Sequence, residues 1–326
     1  MHKRTETRKI HHIECVVAKS PSASGLPATG RRRPMTGWRT LLTGLLIAML
    51  VGGAGQSHAQ LPSLNEAPWF GFFAGHNGTR GMFGITTEGV LYYNHSADLE
   101  NVNSGYFHRI HPSVEEARPD GEIVRRQLLP ETLQTTDEPT TNPNKITFQG
   151  EVRGGTKIEV VVEFSRRDIS VGGRIIEPAP GDRPQRFILH TQAPPFYLRY
   201  GEHKIRTEGT EEEKAELEKR NAPQRAIAAR ENLVLRGLDG RRVRQPILDE
   251  VDLSSPEFNG DGFNSIEIDF DALRGRKISI TTTENSRMLL SNPEPRPIFK
   301  YFYHITWMED PARRNAGTGR MVFSTR

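Results

Sequence analysis

Strict alternation of apolar and polar residues constrains this chain more than any other feature. Lys157-Ile158-Glu159-Val160-Val161-Val162-Glu163-Phe164 and Ser265-Ile266-Glu267-Ile268-Asp269-Phe270 both place an apolar side chain at every second position. Only an extended strand gathers such residues on one face, because successive side chains there point to opposite sides. Gly154-Gly155 and Arg274-Gly275 stand where turns belong, and Asp120-Gly121 and Asp239-Gly240 are dipeptides of the hairpin type. Strands about every ten residues, separated by Gly and Pro, imply an all-β sandwich or barrel.

The strand-like pieces recur in order. Ile85-Thr86-Thr87-Glu88-Gly89 returns as Ile205-Arg206-Thr207-Glu208-Gly209, and Asp120-Gly121 with Val124-Arg125 returns as Asp239-Gly240 with Val243-Arg244. Ile146 and Gly155-Thr156-Lys157-Ile158 return as Ile266 and Gly275-Arg276-Lys277-Ile278, and Ala67-Pro68-Trp69-Phe70 as Ala193-Pro194-Pro195-Phe196. A nearly constant offset in collinear order is the mark of an internal duplication. It predicts two β-sandwich-like units in tandem, residues 67–192 and 193–308, followed by a C-terminal tail, 309–326. Two copies interlocked in one large β fold give the same periodicity, so that alternative stays open. The copies differ after the shared Glu-Gly. The first continues into Val90-Leu91-Tyr92-Tyr93. The second has Thr210 followed by Glu213, the reciprocal cap of a helix start, leading a short charged helix that Pro223 is expected to break, with a second helical stretch at 224–231.

Residues 1–59 read differently. From Met35 the chain shows Arg39, an apolar stretch over residues 41–51, a run of small residues, and Ser57-His58-Ala59, which fits the cleavage rule of an export signal. The apolar stretch is shorter than the roughly twenty residues a membrane span requires. The expectation is therefore a basic leader plus signal peptide, cleavage after Ala59, a periplasmic or extracellular address, and no stable membrane span afterwards. This segment holds nine of the 44 Lys and Arg residues and two of the 40 Asp and Glu, leaving 35 basic against 38 acidic residues in the remainder. The positive balance of the whole chain thus belongs to the leader, and nucleic acid is not an expected partner. The one cysteine, Cys15, also lies there. A disulfide framework, a cysteine nucleophile and a thiolate metal site are excluded from residues 60–326.

Residue patterns that carry chemistry are sparse. Nucleophile-elbow, zinc-helix, phosphate-loop and dinucleotide signatures do not occur. Glu115-Glu116 and Asp137-Glu138 are adjacent, so on extended backbone their carboxylates point apart and do not form acid–base pairs. Seven histidines lie beyond the leader: His76, His95, His108, His111, His190, His203 and His304. His108 and His111 lack the spacing of metal-ligand pairs, while His190 and His304 hold matching places in the two copies. All are expected to be partly buried strand residues with hydrogen-bond partners. Asn259 and Asp261 echo the start of a calcium loop, but Ile268 stands where the bidentate acid belongs, so a turn is the expected structure. Trp69, Phe72, Tyr301 and Tyr303 lie in the two aromatic concentrations, and an exposed aromatic strip on a sandwich is a candidate grip for sugar or peptide.

Together these readings anticipate an exported, non-catalytic protein that requires no cofactor. Its role is binding or structural, in the cell envelope or the extracellular space. Polysaccharide, cell-wall material or another protein is the expected partner. The alternative is a secreted hydrolase acting on an extracellular polymer through acids brought together from distant strands.

Overall fold

In a computed structural model the described residues are 60–78, 81–94, 108–181, 183–193, 208–246, 251–269, 277–283, 285–292, 303–310 and 315–326. All belong to one compact unit, Gln56–Arg326. The alternating stretches fold as the period of two demands: in the strand Lys157–Phe164, Ile158, Val160 and Val162 are fully buried while the residues between them are partly exposed. Secondary structure is mostly strand. In chain order the elements are β1 (Phe72–Asn77), β2 (Met82–Thr86), β3 (Leu91–Asn94), β4 (His108–Ala117), β5 (Ile123–Gln127), β6 (Thr140–Thr141), β7 (Lys145–Glu151), β8 (Lys157–Phe164), β9 (Asp168–Glu177) and β10 (Gln185–Ala193). There follow α1 (Glu211–Ala228), β11 (Asn232–Gly237), β12 (Arg242–Pro246), α2 (Pro256–Asn259), β13 (Phe263–Asp269), β14 (Ile278–Thr282), β15 (Ser286–Ser291), β16 (Tyr303–Glu309) and β17 (Met321–Thr325).

The strands form two antiparallel runs. One is β1–β2–β3–β4–β10–β16–β15, with β5 sharing with β3 the edge of β4 opposite β10. The other is β7–β8–β9–β17–β14–β13–β11–β12. A single pair, Phe263 with Met288, joins β13 to β15, so all 17 strands are hydrogen-bonded into one sheet. Buried side chains of both runs, among them Val114, Leu189, Trp307, Val160, Ile266 and Phe323, form one contiguous core.

The all-β class therefore holds, as one hydrogen-bonded sheet. β10 of the first half pairs with β16 of the second, and β9 pairs with the C-terminal β17, so both runs draw strands from either side of residue 193. The hairpins β4–β5 and β11–β12 do recur about 120 residues apart, each closed by a glycine at positive φ, Gly121 and Gly240, a conformation that a Cβ disfavours. Their surroundings do not recur: β4 pairs onward with β10, whereas β11 pairs onward with β13. The pairing pattern thus leaves the duplication as a feature of sequence.

α1 opens with the expected reciprocal cap: the Thr210 N–H donates to Glu213 Oε2 at 2.8 Å and the Glu213 N–H to Thr210 Oγ1 at 3.2 Å. The expected break is corrected, because α1 runs through Pro223 to Ala228. Proline removes one N–H from the helical ladder, a loss this largely exposed helix tolerates. Among its described side chains, Leu217 is buried. No helix among the described residues is long and apolar enough to cross a membrane.

Candidate functional site

Across β15–β16–β10–β4–β5 the side chains divide cleanly between two faces. Ile305, Trp307, Leu189, Phe187, Ile110 and Val114 enter the core. By alternation, the opposite face carries Leu289 and Arg287 of β15, His304, Thr306 and Met308 of β16, Arg186, Ile188 and His190 of β10, Arg109, His111, Ser113 and Glu115 of β4, and Arg125 of β5.

Register gathers three histidines on this face. His190 lies directly opposite His111 on β4 and opposite Thr306 on β16. Its Nδ1 is 3.2 Å from Thr306 Oγ1, and its ring meets that of His304 edge-on, with centroids 4.6 Å apart. His304 Nε2 is buried and has no hydrogen-bond partner among the described residues. Burial is the main force on all three imidazoles, disfavouring their charged forms; Arg125 acts in the same sense on each of them, and Arg109 on His111. His190 is pushed down to about 2 and His304 to about 4, while His111 is lowered below its ordinary value.

These shifts decide what the face can do. A histidine acid or base works best with a pKa near the working pH. His190 and His304 are neutral at pH 7 and hold a proton too weakly to serve as acids there. As neutral rings they offer hydrogen-bond donors and acceptors. Charge on the face comes from arginine. Glu115 accepts from Arg186 Nε and Nη2 at 2.8 and 2.6 Å and from Arg125 Nη2 at 3.3 Å. Arg109 lies over the Tyr92 ring, 5.6 Å from its centroid, and Tyr92 in turn meets Phe72 edge-on at 5.9 Å.

Glu116 points to the other side of β4, as adjacent strand residues must. It is held by Arg183 at 2.6 Å and Arg126 at 3.2 Å, which keep its carboxyl below the usual range. The two glutamates are thus separately clamped. Among the described residues, no group of three or more His, Cys, Asp or Glu is arranged to hold a metal ion.

The sequence candidates fare unevenly. Trp69 and Tyr303, two of the candidate ligand-binding aromatics, are buried, each with only 3% of its surface accessible. Trp69 sits with Leu64 and Met82 in a small satellite cluster, its ring covering Gly75, where a Cβ would collide with it. Tyr303 faces the core, where burial and then the nearby Glu231 push its hydroxyl pKa up. Phe72 is partly exposed beside Tyr92, and Tyr301 lies outside the described residues. Asn259 is a structural bracket. Its Nδ2 donates to the carbonyls of Leu253 and Leu290 at 2.7 and 3.0 Å, and its Oδ1 accepts from the Leu290 N–H at 2.8 Å. Asp261 ends the turn that follows and offers its carbonyl to Arg287. Of the remaining histidines, His108 is buried near Tyr93, His76 packs on Phe164, and His95 and His203 lie outside the described residues.

Sequence reasoning missed the convergence of His111, His190 and His304. The recoverable signal was alternation: each stands out of phase with core residues of its own strand.

No family model matches the chain, and no curated protein matches it. Among solved structures it is similar to the α-N-acetylgalactosaminidase NagBb from Bifidobacterium bifidum in complex with GalNAc, at 12% identity and a TM-score of 0.42. The match covers 77% of this chain and 35% of that enzyme, so this chain spans about a third of its length.

Proposed function

We propose that this chain is an exported glycan-binding protein of the periplasm or extracellular space, and that the histidine face is its ligand surface. The observation that carries the reading is the cluster of His111, His190 and His304 with Thr306, on a face that also bears Arg109 and adjoins Tyr92. Sugars are recognised by convergent hydroxyl partners beside an aromatic edge, and neutral imidazoles with a threonine hydroxyl supply such partners. The export signal read in residues 35–59 supports the address. A hydrolase on this face would need a carboxylate free to give or take a proton, and Glu115 is tied to two arginines.

The test is equilibrium binding of the purified protein to a panel of cell-wall fragments and soluble oligosaccharides, alongside Tyr92→Ala. The wild type should bind at least one glycan class, and Tyr92→Ala should weaken that binding about tenfold, as loss of one ring contact does. Background signal across the whole panel from folded protein sinks the reading. Export is checked separately by fractionating cells that express the full chain and sequencing the N-terminus of the exported form, which should begin at Gln60.

A further inference from the structure

We infer that the histidine face selects acidic glycans, with an exposed arginine, Arg109, taking a sugar carboxylate while the imidazoles and Thr306 take hydroxyls. The inference rests on the glycan-binding reading and deepens it by naming the ligand class.

Its first support is the charge of the face. Among the described residues, four guanidinium groups, those of Arg109, Arg125, Arg186 and Arg287, stand against one carboxylate, that of Glu115. Glu115 neutralises only one of the two arginines that hold it. Arg287 spends part of its fork on the Asp261 carbonyl, which does not cancel its charge. Arg109 is exposed and makes no ion pair among the described residues. The titratable and charged groups on this face are thus Arg287 of β15, His304 of β16, Arg186 and His190 of β10, Arg109, His111 and Glu115 of β4, and Arg125 of β5. With the imidazoles neutral, the balance is strongly positive, although residues 60–326 as a whole are slightly acidic.

The second support is shape and chemistry. Stacking on Tyr92 holds the Arg109 fork beside a ring against which a pyranose can lie. A planar guanidinium matches a carboxylate through two parallel hydrogen bonds, a geometry that a neutral sugar cannot use. His304 Nε2 is a buried polar atom without a partner among the described residues. Nucleic acid is disfavoured because the excess of basic residues ends with the leader, and a long phosphate backbone requires a basic track rather than one positive face.

The experiment measures binding of the purified protein to oligogalacturonate, to a neutral oligosaccharide of equal length and to a single-stranded oligonucleotide, for wild type and Arg109→Gln. Oligogalacturonate should bind at least tenfold tighter than the neutral oligomer, weaken as salt is raised, and lose about five- to tenfold in Arg109→Gln. The affinity should stay constant between pH 7.5 and 5.5, because arginine charge does not change there and His190 and His304 remain neutral. Equal affinity for acidic and neutral oligomers overturns the acidic selectivity and leaves the glycan reading intact. Binding to neither by folded protein overturns both. Tighter binding of the oligonucleotide, or a tenfold gain on acidification, also overturns the inference, since the first makes the face a general polyanion site and the second makes imidazolium the anchor.

Discussion

The strands β16, β10 and β4 have two faces that follow different rules. On the inner face Trp307, Ile305, Leu189 and Val114 are at most 1% exposed and belong to the apolar core, which also buries Trp307 Nε1 and the Tyr303 hydroxyl without a hydrogen-bond partner among the described residues. On the outer face the same strands carry three histidines, two hydroxyls, one carboxylate and arginines, interrupted by Ile188 and Met308. Burial alone does not separate the faces, since Ile188 and Met308 are as buried as Trp307; composition does, the inner face being apolar apart from groups such as the arginine-held Glu116 and His108. On the outer face His304 Nε2 lacks a partner among the described residues, and two guanidiniums, those of Arg125 and Arg186, share one glutamate. Buried polar atoms without partners thus occur on both faces, and what sets the outer one apart is its density of imidazole and guanidinium groups.

Removing the Trp307 side chain tests the inner face. It is fully buried, packs edge-on against Phe187 at 6.3 Å, and Trp307→Ala should cost about 3–5 kcal/mol in denaturant unfolding. A loss below about 1 kcal/mol would mean that the core tolerates the cavity and that the two faces are not so different.

Acid tests the outer face. A histidine held neutral in the folded state takes up its proton more readily when unfolded. Stability from such a group is fully present above the unfolded value of 6.5 and falls as pH drops below it. For His304 the loss ends near pH 4, and for His190 it continues to about 2. By pH 4.5 each should have cost roughly 2–3 kcal/mol. The double variant His190→Gln with His304→Gln should flatten the fall between pH 6.5 and 4.5; an unchanged profile would show that the imidazoles protonate without penalty.

The contrast also explains what could be read in advance. Strand identity, the two hairpin glycines and the Thr210 cap follow from spacing within a few residues, so the sequence states them directly. The single sheet depends on β9 finding β17 some 150 residues away, and no local pattern encodes that partner. His111, His190 and His304 meet for the same reason, through cross-strand register between distant segments. The burial of Trp69 and Tyr303 could not be read in advance, because alternation says which residues share a face but not which face is covered. Pro223 was read as a break because the local rule carries no account of how much strain an exposed helix absorbs.

A smaller effect is expected from Glu115→Gln. The carboxylate is 10% exposed and its two arginines about a third, so solvent screens part of the interaction. Leaving Arg186 and Arg125 uncompensated should cost about 1–2 kcal/mol in unfolding while strengthening oligogalacturonate binding two- to fivefold, since the face gains net positive charge. Loss of binding together with stability would assign Glu115 to ligand contact instead.

The smallest change in stability, and the sharpest separation of the faces, should come from His304→Ala. A buried strand histidine kept for packing and hydrogen bonding costs about 2 kcal/mol or more when truncated. His304 differs because its Nε2 finds no partner among the described residues, so removing the ring also removes an unsatisfied polar atom. The two terms oppose each other, and the net loss at pH 7.5 should stay below about 1 kcal/mol. Glycan affinity should fall about fivefold, because the hydroxyl contact is gone. Thermal unfolding and binding, measured on the same preparation, separate the possibilities. A large stability loss with unchanged affinity would return His304 to the core and make the outer face a second packing surface. A small stability loss with weakened binding keeps the two faces distinct.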